Sequence, residues 1–194
     1  MSHFIHRRLS ADKKARPNRP LVLRFPPEPN GYLHLGHAKA LVLASDLAKE
    51  FDAALLLRMD DTNPEKEDLS YITAIERDVH WLVDHIDPVT RYASDYFDAF
   101  YRIVLLLIDK GLAYVHTSAV EDAHAVPGTC SASGTASPER SLPVEHHREA
   151  FDAMRTGACK AVLRAKIDLD SPNMNLRDPV LYRVKNEAHP RTGR

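Results

Sequence analysis

His34 and His37 stand three residues apart in Phe25-Pro-Pro-Glu-Pro-Asn-Gly-Tyr-Leu-His-Leu-Gly-His37, with Gly36 between them. Residues at that spacing share one face of a helical turn. Two imidazoles on one face can donate hydrogen bonds to a phosphate chain. Their contribution there is electrostatic stabilisation of a pentacoordinate phosphorus, more than proton transfer. Gly36 removes a side chain and lets a ligand approach the backbone, and Lys39 adds charge just beyond. A second polar cluster, Asp60-Asp61-Thr62-Asn63-Pro64, offers a carboxylate able to hold an ammonium group. Each feature has a plainer alternative. A histidine pair at helical spacing is common on ordinary helices, and this one lacks an obvious third partner for a metal. Asp60, Thr62 and Asn63 are also the residue types of an Asx turn that caps the next helix.

The elements around these residues decide between the readings. Residues 21–25 form a short apolar run closed by Pro26-Pro27, which predicts a strand ending at a prolyl stop. Pro29-Asn30-Gly31 is turn chemistry. From about 33 to 49 the apolar residues recur at helical spacing, and 53–58 predicts a second strand. Further helices are expected over 69–82 and 96–110, the latter stopping at Gly111, and a third strand at Tyr114-Val115. This alternation is that of a parallel α/β sheet. The histidines then sit between the first strand and the first helix, where free N–H groups and the helix dipole favour anions, which predicts an adenine nucleotide on the helix start. Asp60 follows the neighbouring strand and faces the same crevice.

Beyond Thr117 the sequence turns rich in Ser, Thr, Ala, Gly and Pro up to Pro143. A short helix over 143–157 and a half-buried strand over 162–168 follow. In that strand Leu163, Ala165 and Ile167 are expected to face one way and Arg164, Lys166 and Asp168 the other. Another strand is expected within 176–184. The expected organisation is a basic arm (1–19), a nucleotide-binding half (20–116) and a more polar subdomain (117–194).

Composition narrows the class. The 194 residues carry 26 Lys+Arg against 27 Asp+Glu, and 44% are hydrophobic, ordinary values for a globular chain and unlike a charged disordered tail. The longest aliphatic run, 103–108, is far short of the roughly 18 residues a membrane span needs, so no membrane association is expected. Cys130 and Cys159 cannot form a disulfide scaffold or a four-thiolate zinc site. The basic cluster from His6 to Arg19 has no apolar segment after it and is no secretory signal. It is expected to be a mobile, solvated arm, with weak phosphate contact as the alternative, and the chain to be cytoplasmic.

The segment 25–37 resembles the signature region of class I aminoacyl-tRNA synthetases, here reading His-Leu-Gly-His. Its surroundings are similar to the glutaminyl-tRNA synthetases in the glutamyl/glutaminyl branch. The likeness extends through Leu57-Arg-Met-Asp-Asp-Thr-Asn-Pro-Glu-Lys-Glu-Asp68, Arg91-Tyr-Ala-Ser-Asp-Tyr-Phe97, Lys110-Gly-Leu-Ala-Tyr-Val115, Leu163-Arg-Ala-Lys-Ile-Asp168 and Asn175-Leu-Arg-Asp-Pro-Val-Leu-Tyr-Arg183. The resemblance implies the first half of a doubly wound, Rossmann-like α/β sheet, with an inserted α+β subdomain that binds the tRNA acceptor end. It implies ATP-dependent attachment of glutamine to tRNA(Gln) through a glutaminyl-adenylate. ATP with Mg²⁺ and L-glutamine would be substrates, and there would be no prosthetic group and no resident metal. By motif, Glu28, Pro29, Asn30, His34, Leu35, Gly36, His37, Ala38, Lys39 and Ala40 would contact ATP. Asp60 would bind the α-amino group, with Arg24 near the amino acid. Thr129, Cys130 and Arg140 would meet the acceptor end. A glutamate–tRNA ligase segment and a non-catalytic nucleotide- or tRNA-binding remnant are the alternatives.

The sequence also departs from that family. Its Tyr-Arg-Gly-Thr-Leu becomes Val126-Pro-Gly-Thr-Cys130, and Leu142 stands where a second basic residue is expected. No Met-Ser-Lys occurs in the 194 residues, and the segments that follow His189-Pro-Arg-Thr-Gly-Arg194 in the family would lie on a longer product. The expectation is therefore little or no glutaminylation by this chain alone.

Overall fold

A computed structural model of the chain describes residues 3–117, 127–129 and 132–193. Two compact units emerge. One takes in the chain up to Phe97 together with Glu187–Arg194, and the other spans Asp98–Asn186.

The first unit is built on a parallel sheet of order β1-β2-β3, comprising β1 (Val22–Phe25), β2 (Ala54–Met59) and β3 (Arg91–Tyr92). Val22 pairs with Ala54 and Phe25 with Leu57, while Met59 pairs with Tyr92. Parallel neighbours need crossovers. These are α2 (Leu35–Phe51) between the first two strands and α3 (Leu69–Leu82) between the next two. Strand β2 alternates as a strand with one packed face should: Leu55, Leu57 and Met59 are buried, and the residues between them are less so. Leu41 and Ala48 of α2 and Ile72, Ile75 and Val79 of α3 close over them in one core. The helix α2 ends at Asp52, whose left-handed conformation (φ 51°) turns the chain so that the next N–H, of Ala53, reaches back to the carbonyl of Ala48 at 2.9 Å.

The basic N-terminal residues are not a mobile arm. Phe4–Ala15 form a helix, α1, capped by His3, whose Nδ1 accepts the N–H of Ile5. Leu9 is buried against Leu47 and Phe51. Around that contact His6 Nε2 lies 2.7 Å from Glu50, and the Lys13 ammonium donates to the carbonyl of Phe51 at 2.8 Å. Charge dominates the segment's composition, but Ile5 and Leu9, one turn apart, share the face that docks, while Phe4 stays exposed.

The second unit holds α4 (Phe97–Asp109), β4 (Ala113–His116), α5 (Val144–Arg155), β5 (Val162–Ala165) and β6 (Val180–Arg183). Its sheet is antiparallel, of order β4-β5-β6. Val104, Ile108, Val115, Phe151, Met154 and Leu163 form its core. Three expectations need correcting here. The strand at Tyr114-Val115 does not continue the parallel sheet but pairs antiparallel with β5, and the third parallel strand is the two-residue β3. Strand β5 stops at Ala165, which leaves Ile167 about half exposed. Arg164, expected on a solvated face, is buried and donates from Nη1 to the carbonyl of Asp178 at 2.9 Å. Compactness divides the chain at 97/98 and 186/187, whereas the change in composition falls near 117.

Candidate functional site

The tips of β1 and β2 lie side by side, and the loops leaving them are laced together. The N–H of Asp60 donates to the carbonyl of Pro27 at 2.8 Å, and that of Asp68 donates to Pro29 at 3.3 Å. Pro27 and Pro29 are buried, while Glu28 and Asn30 alternate outward and are exposed. Arg24, the residue before the last of β1, is exposed as well. Tyr32 stands edge-on to Tyr71 at 5.1 Å.

The loop ends at His34, which caps α2 and is not inside it: its backbone is extended and the helix starts at Leu35. Its Nδ1 accepts the N–H of Gly36 at 3.1 Å. His37, three residues on, reaches back so that its Nδ1 accepts the N–H of His34 at 3.2 Å. Two of the helix's orphan donors are thus satisfied reciprocally, the logic of a capping box with imidazoles in place of hydroxyl and carboxylate. A ring whose Nδ1 accepts carries its proton on Nε2. The two rings, 4.0 Å apart, therefore have Nε2–H as their remaining donors. His34 is exposed and His37 half-buried. Burial, and then the neighbouring His34, hold the His37 imidazole below its ordinary pKa. A Cβ on Gly36 would come within 2.8 Å of His34 Cε1, so glycine is what allows the His34 ring to fold over the turn. Leu35, Lys39 and Ala40 are exposed, and Ala38 is half-buried.

The two adjacent carboxylates part company. Asp60 is partly exposed, with its carboxylate 3.6 Å from Arg58 Nη1. Asp60 does not cap α3. Asp68 does so, accepting the N–H of Ser70 at 2.7 Å. Asp61 is fully buried. Its Oδ1 accepts the N–H of Ser94 at 3.0 Å, and its Oδ2 accepts the Ser94 hydroxyl at 2.6 Å.

Residues near the far end of the sequence complete this network, and sequence reading missed them. His189, also buried, donates from Nε2 to the carbonyl of Asp61 at 2.9 Å. Its Nδ1 accepts the N–H groups of Arg191 and Thr192, each at 3.2 Å, which fixes the tautomer. Arg191 lies over the Tyr92 ring at 4.2 Å. Its guanidinium donates to the Ser94 hydroxyl at 2.5 Å, meets Asp61 Oδ2 at 3.4 Å and pairs with Asp95. Burial, then the Glu76 hydrogen bond, pushes the Tyr92 phenol up to about 12. Glu67 is buried with Oε2 3.6 Å from His189 Nε2, and burial raises its carboxyl above the usual range.

The remaining candidates belong to the second unit. Thr129 is exposed and exchanges main-chain hydrogen bonds with Ala132. The buried Arg177 donates from Nη1 to the carbonyls of Pro127, Thr129 and Ala132. Arg140 is half-buried, with Nε 2.6 Å from the buried Asp178 carboxylate. Cys130 lies outside the described residues.

The parallel β1-β2-β3 sheet with its crossover helices, and the start of α2 beside the tips of β1 and β2, defines an α/β protein of the half-wound kind. Comparison with known proteins gives the family. Residues 20–194 match the model of the class I tRNA synthetase catalytic domain of the E and Q type. The glutamine–tRNA ligase of Clostridium perfringens is 46% identical over 195 residues, covering 99% of this chain and 35% of that protein. That of Nitrobacter hamburgensis is 47% identical over 193 residues, with 98% and 35% covered. The crystal structure of a glutamate tRNA ligase from Elizabethkingia meningosepticum, in complex with its amino acid, shares the fold with a TM-score of 0.61 at 22% identity. The match covers 85% of this chain and 39% of that one. The chain belongs to the glutamate/glutamine family of class I tRNA synthetases. It spans about a third of the length of the curated relatives it matches. Among the described residues, no helix is long and apolar enough to cross a membrane.

Proposed function

We propose that this chain supplies the ATP- and amino-acid-binding part of a glutamine–tRNA ligase. The observation that carries the reading is the reciprocal histidine cap on α2. Both Nδ1 atoms are engaged by the backbone, so both rings keep an Nε2–H donor at an anion-favouring helix start. Family membership and relatives named glutamine–tRNA ligase at 46–47% identity support the substrate class.

In this reading ATP arrives as its Mg²⁺ complex and lies against Glu28, Pro29, Asn30 and the turn from His34 to Ala40. The imidazoles donate to its phosphates, and Lys39 adds charge. Asp60 holds the ammonium group of glutamine and Arg24 lies near its carboxylate. That carboxylate attacks the α-phosphorus, the bond to the β-phosphate oxygen breaks, and pyrophosphate leaves with the electron pair. The histidine donors stabilise charge on the phosphoryl oxygens as it develops. The terminal 2′-hydroxyl of tRNA(Gln) then attacks the acyl carbon of glutaminyl-adenylate and loses its proton, the bond to the phosphate oxygen breaks, and AMP leaves. Thr129, Cys130 and Arg140 are the candidate residues facing the acceptor end. A cytoplasmic location goes with this reading.

Calorimetric titration of the purified chain with ATP and with a non-hydrolysable glutaminyl-adenylate analogue tests the proposal. Binding of the analogue that is lost in His37→Ala supports it, and absence of binding leaves a non-catalytic remnant. A glutamate analogue in the same titration decides between the two amino acids.

A further inference from the structure

We propose that Arg191 and His189 are positioning residues for the Asp60 carboxylate. They anchor Asp61, and so fix the backbone from which Asp60 meets an ammonium-bearing ligand. This rests on the reading of Asp60 given above.

The backbone of Asp60 is held on both sides. Before it, its own N–H is tied to Pro27 at 2.8 Å. After it, Asp61 is tied at its carbonyl by His189 and at its carboxylate by Ser94 and Arg191. A fully buried carboxylate persists only where charge and hydrogen bonds compensate it. Ser94 supplies two neutral donors, and Arg191 supplies a positive charge that touches Asp61, Ser94 and Asp95 together. Without that guanidinium, Asp61 would gain by turning toward water. Its neighbour Asp60 would turn with it, because one peptide bond links them. A site that discriminates an amine needs its carboxylate placed within a fraction of an ångström. His189 contributes through its tautomer: the main-chain N–H groups of Arg191 and Thr192 occupy Nδ1, so Nε2 has to donate, and it donates to the Asp61 carbonyl.

The test compares two ligands on the purified chain. One is the glutaminyl-adenylate analogue, and the other is the same molecule without its α-amino group. The wild-type chain is expected to prefer the amino form by about tenfold or more, and Asp60→Asn to abolish that preference. Arg191→Met keeps the stacking over Tyr92 and removes the hydrogen bonds. It is expected to lose most of the preference while holding the des-amino analogue within about twofold of wild type. The double variant should be no worse than Asp60→Asn alone, the non-additivity expected of residues acting through one another. Arg191→Lys should restore part of the preference. Should Arg191→Met fail to fold by circular dichroism, Asp95→Asn, at the exposed rim of the same guanidinium, is expected to give a partial loss of the same kind. Equal weakening of both analogues, or an intact preference in Arg191→Met, overturns the inference and leaves the Asp60 reading standing. A wild-type chain that binds neither analogue, or shows no preference, overturns the Asp60 reading and the inference together.

Discussion

His37 Nδ1 accepts the main-chain N–H of His34 at 3.2 Å, while the His34 ring accepts that of Gly36. Each imidazole therefore has two duties, closing the helix start with one nitrogen and offering a proton from the other. These duties are separable at His34. Asparagine caps helices as well as any residue but does not carry a donor to the Nε2 position. His34→Asn is expected to leave the unfolding midpoint unchanged and to weaken ATP binding by about tenfold, the equivalent of one charge-assisted hydrogen bond of roughly 1.5 kcal/mol. Calorimetry and thermal unfolding on one preparation check both halves.

Gly36→Ala should act through His34 and not through helix propensity, which alanine improves. The new methyl would lie 2.8 Å from His34 Cε1, so the ring must swing off the turn and release the Gly36 N–H. Loss of ATP affinity comparable with that of His34→Asn is expected, with the helical content retained. Unchanged affinity would mean that the ring's position over the turn does not matter to the ligand.

The cap should be sensitive to acid. The His37 pKa is lowered in the folded state, first by burial and then by His34. The unfolded chain therefore takes up a proton at His37 before the folded one does. The contribution of the cap is complete above the ordinary histidine value near 6.5 and is lost as pH falls from there through the lower folded value. An NMR titration of the His37 ring should give a midpoint below 6.5, and urea unfolding should show stability declining over the same range. A midpoint above 6.5 contradicts the geometry.

Helix α1 is docked by few residues, which makes it easy to release. Leu9→Ala removes the side chain that packs on Leu47 and Phe51. It is expected to cost about 2 kcal/mol, the low end for a buried leucine, because the site lies next to solvent. Denaturant unfolding measures it. Amide exchange should speed up over 4–15 before it does in β2.

Asp61→Ala should be costlier than any change at Asp60. It leaves the Arg191 guanidinium without one of its carboxylates and the Ser94 N–H and hydroxyl without their acceptor. Breaking a buried charged pair typically costs about 3–5 kcal/mol. Asp60→Asn, at a partly exposed side chain, should leave stability nearly unchanged and show its effect in ligand binding alone.

What the sequence revealed of this fold follows its periodicities. The helices α2 and α3 and the strand β2 carry regular apolar spacing over enough residues to be read directly, and the prolyl stop after β1 marked the loop that leads to the helix start. Strand β3 is two residues long and has no period to detect. The strand β4 is apolar like a buried parallel strand, and only its antiparallel partner β5, dozens of residues later, decides its sheet. Arg164 looked solvated because alternation cannot foresee that the carbonyl of Asp178, 14 residues later, accepts from its guanidinium. The histidine cap was half legible: type and spacing pointed to the helix start, but the backbone bonds that set the tautomers did not. The Asp61 network was wholly illegible, since Ser94 and Arg191 are 33 and 130 residues away from Asp61 in sequence and no local pattern joins them.

That separation shapes how the molecule is made. The first unit opens at the start of the chain and recovers Glu187–Arg194 only after the whole of Asp98–Asn186 has been read out. During synthesis on the ribosome, Asp61 must wait for His189 and Arg191, which follow it by 128 and 130 residues. Until residue 191 has emerged, the parallel sheet holds Asp61 by the neutral donors of Ser94 alone, without the opposite charge. A nascent chain stalled earlier should be a natural client for chaperones.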